Sequence, residues 1–357
     1  MYGRELCSMN GTMNAVVKTR RAPGADFLVS PIPSPGPRDV LVKVKATSIC
    51  GTDVHIYTWD PWADSRIKKV PQILGHEFAG EVVDTGSEVK HIRVGDTISA
   101  ETHIPCGECI QCLTGQMHIC SNLNILGVDI DGCFAEYASI PEVVCWKNSP
   151  DIPFEYASVQ EPLGNAVYAT LVEDVAGKSI AVIGEGPTGL FAVGVARISG
   201  ATEIFVLGRN RFRLEIARKM GADHIIFIDE VDAVDYVMEK TKGIGVDVVL
   251  EMAGAQQAID QGLKIIRKGG RFSAFGIPPG NVRVDYANGI IFKGVTLYGI
   301  NGREMFKTWF KVRNFLASKR LDISPVVTHK LPLSGFKEGF SALTEGDRNC
   351  GKVVLIP

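Results

Sequence analysis

The sequence predicts an α/β protein in two lobes: a β-rich lobe first, then a doubly wound parallel sheet. Three observations predict this. The stretch Ser179-Ile-Ala-Val-Ile-Gly-Glu-Gly-Pro-Thr-Gly-Leu190 reads as a buried strand over 180–183, a glycine-punctuated turn and an apolar helix over 190–198. From about residue 160 strands alternate with helices, whereas residues 14–142 are short strands cut by Gly and Pro. Between these textures four cysteines, Cys106, Cys109, Cys112 and Cys120, crowd one loop.

Taken in order, residues 1–12 are polar and irregular and are expected to be a disordered leader, with the first strand starting at Met13. Strands are expected over 40–46, 80–85, 97–100 and 134–140, with turns at Gly86-Ser-Glu-Val and Val94-Gly95-Asp96. The second lobe, over 161–299, then offers strands at 180–183, 204–207, 225–228, 246–250, 271–275 and 296–298. Helices at 190–198, 211–220, 234–241 and 256–267 lie between them, as right-handed crossovers of a parallel sheet require. The stretch 304–320 carries Phe306, Trp309, Phe310, Val312, Phe315 and Leu316 at helical spacing, and 352–356 reads as a closing strand. Residues 300–357 are expected to return to the first lobe, which spans 13–160.

With 357 residues and 45% apolar content, the chain can bury two sizeable cores. A net charge of −2 offers no basic face to nucleic acid or an anionic membrane, so the expected partner is a small molecule. No apolar run nears the roughly 18 residues of a membrane span, and the first residues lack a signal-peptide core, so a cytoplasmic protein is expected. Nine cysteines is an odd number, and in a reducing compartment close spacing points to metal before disulfide. Cys7, Cys133, Cys145 and Cys350 read as reduced thiols.

The strand–glycine–helix order is the context a dinucleotide fingerprint requires. Gly184 permits the tight turn, Gly186 lets backbone approach a pyrophosphate, Gly189 lets the helix pack on the strand, and the N–H groups after Gly186 face the diphosphate. In Cys106-x-x-Cys109-x-x-Cys112-x7-Cys120 four thiolates would fill a zinc tetrahedron, which makes that site structural. A dispersed set has the composition of a catalytic zinc site: Cys50, the pair His76-Glu77 and Glu161. These donors leave room for water or an alcohol.

These motifs, in this order, resemble the zinc-containing medium-chain dehydrogenases. The glycine-flanked Gly75-His-Glu-Phe-Ala-Gly80, the four-cysteine loop and the later nucleotide lobe match over nearly the whole chain from Met13. A narrower likeness is to the threonine 3-dehydrogenase branch. It rests on Ala46-Thr-Ser-Ile-Cys-Gly-Thr-Asp-Val-His-Ile-Tyr57, Glu101-Thr-His-Ile-Pro-Cys-Gly-Glu-Cys109, Gln160-Glu-Pro-Leu-Gly-Asn-Ala166 and Gly299-Ile-Asn-Gly-Arg-Glu-Met-Phe-Lys-Thr-Trp309. The resemblance implies a GroES-like catalytic lobe, a Rossmann lobe, two zinc ions per subunit, a homotetramer, and oxidation of the side-chain alcohol of L-threonine to 2-amino-3-oxobutanoate. It implies that Cys50, His76 and Glu77 hold the catalytic zinc and that Glu161 either joins them or serves the proton path. Thr52 and His55 fall at a proton relay, and His103 falls near the substrate. Cofactor contacts are implied for Pro187, Thr188, Arg213, Phe275, Gly276, Ile277, Ile300, Asn301 and, at the pyrophosphate, Arg303.

One position departs from the family. Where an NAD-binding Rossmann unit carries an acid for the ribose 2′-hydroxyl, this chain has Gly208 followed by Arg209, Asn210 and Arg211. Glycine makes room for a 2′-phosphate and guanidinium groups bind it, so NADP is expected over NAD, with NAD possible. Cations at a helix start oppose its dipole, and an anion nearby would remove that conflict. Two other readings stand beside threonine oxidation: a polyol, butanediol or sugar dehydrogenase of the same fold, and a zinc-stabilised NADP-binding protein without alcohol chemistry.

Overall fold

The computed structural model describes residues 11–357; the leader residues 1–10, with Cys7, lie outside the described residues. The first strand, Thr12–Lys18, begins inside the expected leader because Thr12 pairs with Pro31.

In the first lobe the long strand Asp39–Ser48 is the hub. It pairs with Glu77–Thr85, Tyr137–Pro141 and Lys352–Ile356; Thr97–Ala100, Cys145–Lys147 and Val327–Pro332 extend the sheet outward. Its register against Glu77–Thr85 shifts between Leu41 and Val42 and again between Val44 and Ala46. Such bulges add local twist and curl the sheet around a core of Val42, Val44, Phe78, Val82, Phe134 and Phe340. A smaller sheet orders Asp26–Pro31, Thr12–Lys18 and Gln72–Ile73. Residues 134–136 serve this neighbour: the Val16 amide donates to Phe134 O, and Ala15 bridges Ala135. The strand expected over 134–140 therefore starts only at Tyr137.

In the second lobe six parallel strands run in the order His224–Phe227, Glu203–Gly208, Ser179–Ile183, Val246–Glu251, Ile266–Ala274, Thr296–Gly299. Ile180, Val182, Ile204, Val206, Val248 and Leu250 are fully buried, because helices cover both faces of a doubly wound sheet and its inner strands are apolar throughout. The helix expected over 256–267 ends at Ile265, since Ile266 already pairs with Val246 and Arg267 turns to Asp247, 2.6 Å away.

Two crossings join the lobes. Helix Gln160–Leu171 leads into the parallel sheet, and the chain after Thr296–Gly299 leads back through helix Lys307–Ala317, which packs on Gln160–Leu171. Trp309 and Val312 of that helix are buried, and Val312 lies in the same core as Phe191 and Val195. Val354 of the closing strand joins that core too, so the lobes share a continuous apolar seam.

Candidate active site

Strand register brings the dispersed donors together. Ser48 pairs with Glu77 across the ladder, so Cys50, just beyond one strand end and capping helix Gly51–Thr58, faces His76-Glu77 at the start of the other. Gly75 enters this corner at φ +89°, and a Cβ there would lie 2.0 Å from the Phe134 ring, so only glycine fits. One donor atom each from Cys50, His76 and Glu77 lies within 4.8 Å of the others, with His76 and Glu77 buried and Cys50 half-buried.

Charged groups behind these donors fix them. Asp53, fully buried, accepts from the Cys50 amide at 2.9 Å and lies 3.4 Å from His76 Nδ1, the outer-shell carboxylate that a metal-bound imidazole uses. Burial opposes a proton on His76, but Asp53 and Cys50 prevail and hold its pKa well above the ordinary value. A pocket that so favours positive charge on imidazole favours a cation generally. Lys352 Nζ, also buried, lies 2.7 Å from Glu77 Oε1, and Ser48 Oγ donates to Glu77 Oε2.

Glu161 stands beside this group without joining it. Its Oε1 accepts from Arg303 and, at 3.2 Å, from Thr102 Oγ1; its Oε2 is buried without a partner among the described residues. Burial works against the Glu161 charge, but Arg303 outweighs it and His76 and His103 add to it, leaving the carboxyl below its usual range. The sequence expectation puts Arg303 at the pyrophosphate. The structure corrects this: Arg303 is fully buried and bridges Glu161, Glu101, Thr102 and Asn165. Gly164 makes room for it, since a Cβ there would lie 2.7 Å from Arg303 Cδ. Glu101 also accepts from Trp309 Nε1 at 2.9 Å.

Thr52 and His55 share helix Gly51–Thr58, three residues apart and so on one face. Thr52 is half-buried; His55 is 55% exposed and its Nδ1 lies 2.5 Å from Asp60. His103 lies against Gly302 of the return crossing, and burial, reinforced by Arg303, depresses its pKa to about 3, so the imidazole is neutral.

The four-cysteine loop is equally well formed. The sulfurs of Cys109 and Cys112 lie 3.5 Å apart, those of Cys109 and Cys120 3.7 Å, and those of Cys120 and Cys106 3.5 Å. These spacings far exceed a disulfide and approach the ~3.8 Å edge of a tetrahedron with ~2.3 Å arms. Without a cation the thiols cannot ionise together. The amides of Cys112 and Ser121 draw Cys109 down to about 6, while desolvation and the neighbouring sulfurs push Cys112 up to about 12. A divalent ion removes that conflict.

Across the seam, the carboxyl ends of the parallel strands form one edge: Ile183 pairs with Glu251, Glu251 with Ala274, and Ala274 with Gly299. Gly184, Phe275, Gly276, Ile277, Ile300 and Asn301 follow directly on those strands, at the switch point where dinucleotides bind. Gly184 has φ +111°; a Cβ on Gly189 would strike Gly184 O at 2.1 Å, while beside Gly186, the cap before Pro187 and Thr188, space is open for a ligand. Glu251 Oε1 accepts from the amides of Ala253 and Gly254, bracing the adjacent turn.

The arginines expected at the cofactor are engaged elsewhere. Arg213 donates to Cys350 O at 2.6 Å, Arg209 lies 3.4 Å from Asp229 and donates to Gln257, and Arg211 pairs with Glu230. Gly208 has the Glu185 carboxylate over it. The expectation of NADP rests on an acid-free strand tip and unengaged arginines, and the structure offers neither. Asp53, Lys352, Glu101 and Glu185 escaped the sequence reading. Only Glu185 carried a local signal, an acid inside the glycine turn.

Comparison with known proteins agrees with this architecture. Residues 36–151 match the family described as alcohol dehydrogenase GroES-like domain, and residues 187–318 the family described as zinc-binding dehydrogenase. The L-threonine 3-dehydrogenase of Bacillus licheniformis is 49% identical over 98% of this chain and 100% of its own length; that of Pyrococcus horikoshii is 49% identical over 98% and 99%. Among solved structures, a zinc-binding dehydrogenase from Sinorhizobium meliloti bound to NADP superposes with a TM-score of 0.89 at 29% identity, covering 97% of this chain and 100% of that one. The 2R,3R-butanediol dehydrogenase of Bacillus subtilis gives 0.87 at 28%, covering 97% and 99%. A matched pair of lobes, their donor sets and near full-length identity lead to one conclusion: this chain is an alcohol-dehydrogenase-type oxidoreductase and belongs to the zinc-containing medium-chain dehydrogenase family, with the L-threonine 3-dehydrogenases among its relatives.

Proposed function

We propose that this protein oxidises the side-chain hydroxyl of L-threonine to 2-amino-3-oxobutanoate, with hydride passing to a nicotinamide dinucleotide seated on the Gly184–Gly189 turn. The observation that carries the reading is end-to-end identity of about half with curated L-threonine 3-dehydrogenases. Cys50, His76 and Glu77 would hold the catalytic zinc, and Cys106, Cys109, Cys112 and Cys120 a structural one. The catalytic ion supplies positive charge that lowers the pKa of a substrate hydroxyl.

The chain's own groups do the rest. Thr52 takes the hydroxyl proton and His55 carries it to solvent. Exposure of His55 and its contact with Asp60 support that direction, since a carboxylate stabilises the imidazolium formed in transit. Glu161, kept ionised by Arg303, offers its unpartnered Oε2 either to the ion or to the proton path. His103, neutral at working pH, can accept or donate a hydrogen bond to substrate without adding charge.

The reading extends to a homotetramer in the cytoplasm. Exposed Ile277, Tyr286, Ile291, Phe292 and Leu297 lie near the outer strand Thr296–Gly299, an apolar edge suited to a second copy; light scattering that finds only monomer rejects it. No helix among the described residues is long and apolar enough to cross a membrane.

A second reading, a butanediol, polyol or sugar dehydrogenase, is favoured by the structural likeness to 2R,3R-butanediol dehydrogenase. A panel of L-threonine, 2,3-butanediol, sorbitol and glucose, read by cofactor reduction, separates the two. Threonine should lead in kcat/KM, and a leading diol or sugar would replace the first reading with the second.

A further inference from the structure

The anion that the Arg209–Arg211 segment calls for is already part of the chain. Ile183 pairs with Leu207, so the residues just past these strands, Gly184-Glu185 and Gly208-Arg209, lie side by side. From the middle of the glycine turn, half-buried Glu185 reaches across, and its Oε1 accepts from the amides of Arg209 at 3.1 Å and Asn210 at 3.0 Å. A Cβ on Gly208 would lie 2.4 Å from Glu185 Oε2. The carboxylate thus occupies the place where a side chain on residue 208 would begin.

We propose that Glu185 is the specificity-determining acid of the dinucleotide site: it accepts the adenosine ribose 2′-hydroxyl through Oε2 and excludes a 2′-phosphate, so the cofactor is NAD. This rests on the reading of the glycine turn as a nicotinamide dinucleotide site and deepens it. A Rossmann unit ordinarily places this acid on the end of the second strand; here the phosphate turn supplies it and the strand end is glycine. Three observations carry the assignment. Oε2 has no protein donor among the described residues, leaving it an acceptor for a hydroxyl. The two amides that a 2′-phosphate would use are already filled. The guanidinium groups of Arg209 and Arg211 are matched by Asp229 and Glu230, so no cation is left to balance a phosphate beside a fixed carboxylate.

The test uses the zinc-loaded full chain and reads binding, without turnover. Titration calorimetry with 5′-AMP and 2′,5′-ADP, and nucleotide fluorescence with NADH and NADPH, compare the two ribose forms. Wild type should bind 5′-AMP and NADH at least tenfold more tightly than their 2′-phosphorylated partners. Glu185→Gln retains an acceptor for the two amides but removes the charge, and should shrink that ratio at least tenfold, chiefly by tightening 2′,5′-ADP. Glu185→Ala with Gly208→Asp moves the acid to the strand and should restore the wild-type order. A wild type that binds 2′,5′-ADP as tightly as 5′-AMP overturns the assignment; so does an unchanged ratio in Glu185→Gln, or a double variant that prefers 2′,5′-ADP. None of these probes involves an alcohol, so a failed threonine assay leaves the result standing, and the reverse also holds.

Discussion

The four-cysteine loop and the Cys50, His76 and Glu77 group both gather soft and borderline donors for zinc, yet they are built in opposite ways. The loop takes its donors from one short stretch, leaves three of them half-buried, and orients them with nearby amides such as Cys106 N, 3.3 Å from Cys120 Sγ. The other group takes donors from two strand ends and depends on charges brought from far along the chain, Lys352 from 275 residues away and Arg303 from 142. A site built locally can be emptied without disturbing chemistry elsewhere. A site built by tertiary folding cannot lose a part without leaving a buried charge exposed to its neighbours.

The sharpest way to break the comparison is to remove one donor from each site. Cys50→Ser should lower kcat/KM by about 10³-fold or more, as expected when a charge worth several kcal/mol leaves the transition state. Metal analysis should then fall from two ions to one per chain with little change in Tm. Lys352→Met tests the tertiary dependence directly. It strands the buried Glu77 carboxylate, and breaking a buried pair in this way costs about 3–5 kcal/mol, readable in urea melts. Cys112→Ser, in contrast, should cost about 2 kcal/mol or more of stability as the structural ion is lost, while kcat/KM per folded molecule stays within about twofold.

Smaller effects sharpen the contrast between relay and scaffold. His55→Asn should slow turnover about tenfold near pH 7 without lowering Tm, because the side chain is exposed, and added imidazole should restore part of the rate. His103 acts through stability instead. Its folded pKa, about 3, lies below the ordinary value near ~6.5, so the unfolded chain binds more protons between those limits. Its contribution is complete above about pH 6.5 and declines as pH falls toward 3. His103→Gln should flatten that part of the acid-denaturation curve; an unaltered slope would reject the assignment.

Legibility in the sequence follows the same division. The parallel sheet was readable because strands buried on both faces are unbroken apolar runs: 180–183, 204–207 and 246–250 each fall within an observed strand. The four thiols were readable because their spacing is their geometry. Helix Gly51–Thr58 escaped because it is nearly without an apolar face; among its residues only Asp53 and Ile56 are buried. Asp53, Lys352 and Glu101 escaped for a related reason: a buried charge is recognised by its partner, and each partner lies on a different element. Arg303 misled because an arginine after the last parallel strand is equally placed, in sequence, to face a pyrophosphate or a buried pair of acids.

Strand Lys352–Ile356 sits between Asp39–Ser48 and Val327–Pro332 and carries the lysine that neutralises Glu77. During synthesis the parallel-sheet lobe can therefore mature while the earlier-made lobe still lacks an inner strand and a counter-charge. Domains ordinarily fold in the order in which they leave the ribosome; here the lobe begun first is finished last. Chains halted before this strand emerges would carry every zinc donor and still lack the lattice of charges that makes them a site.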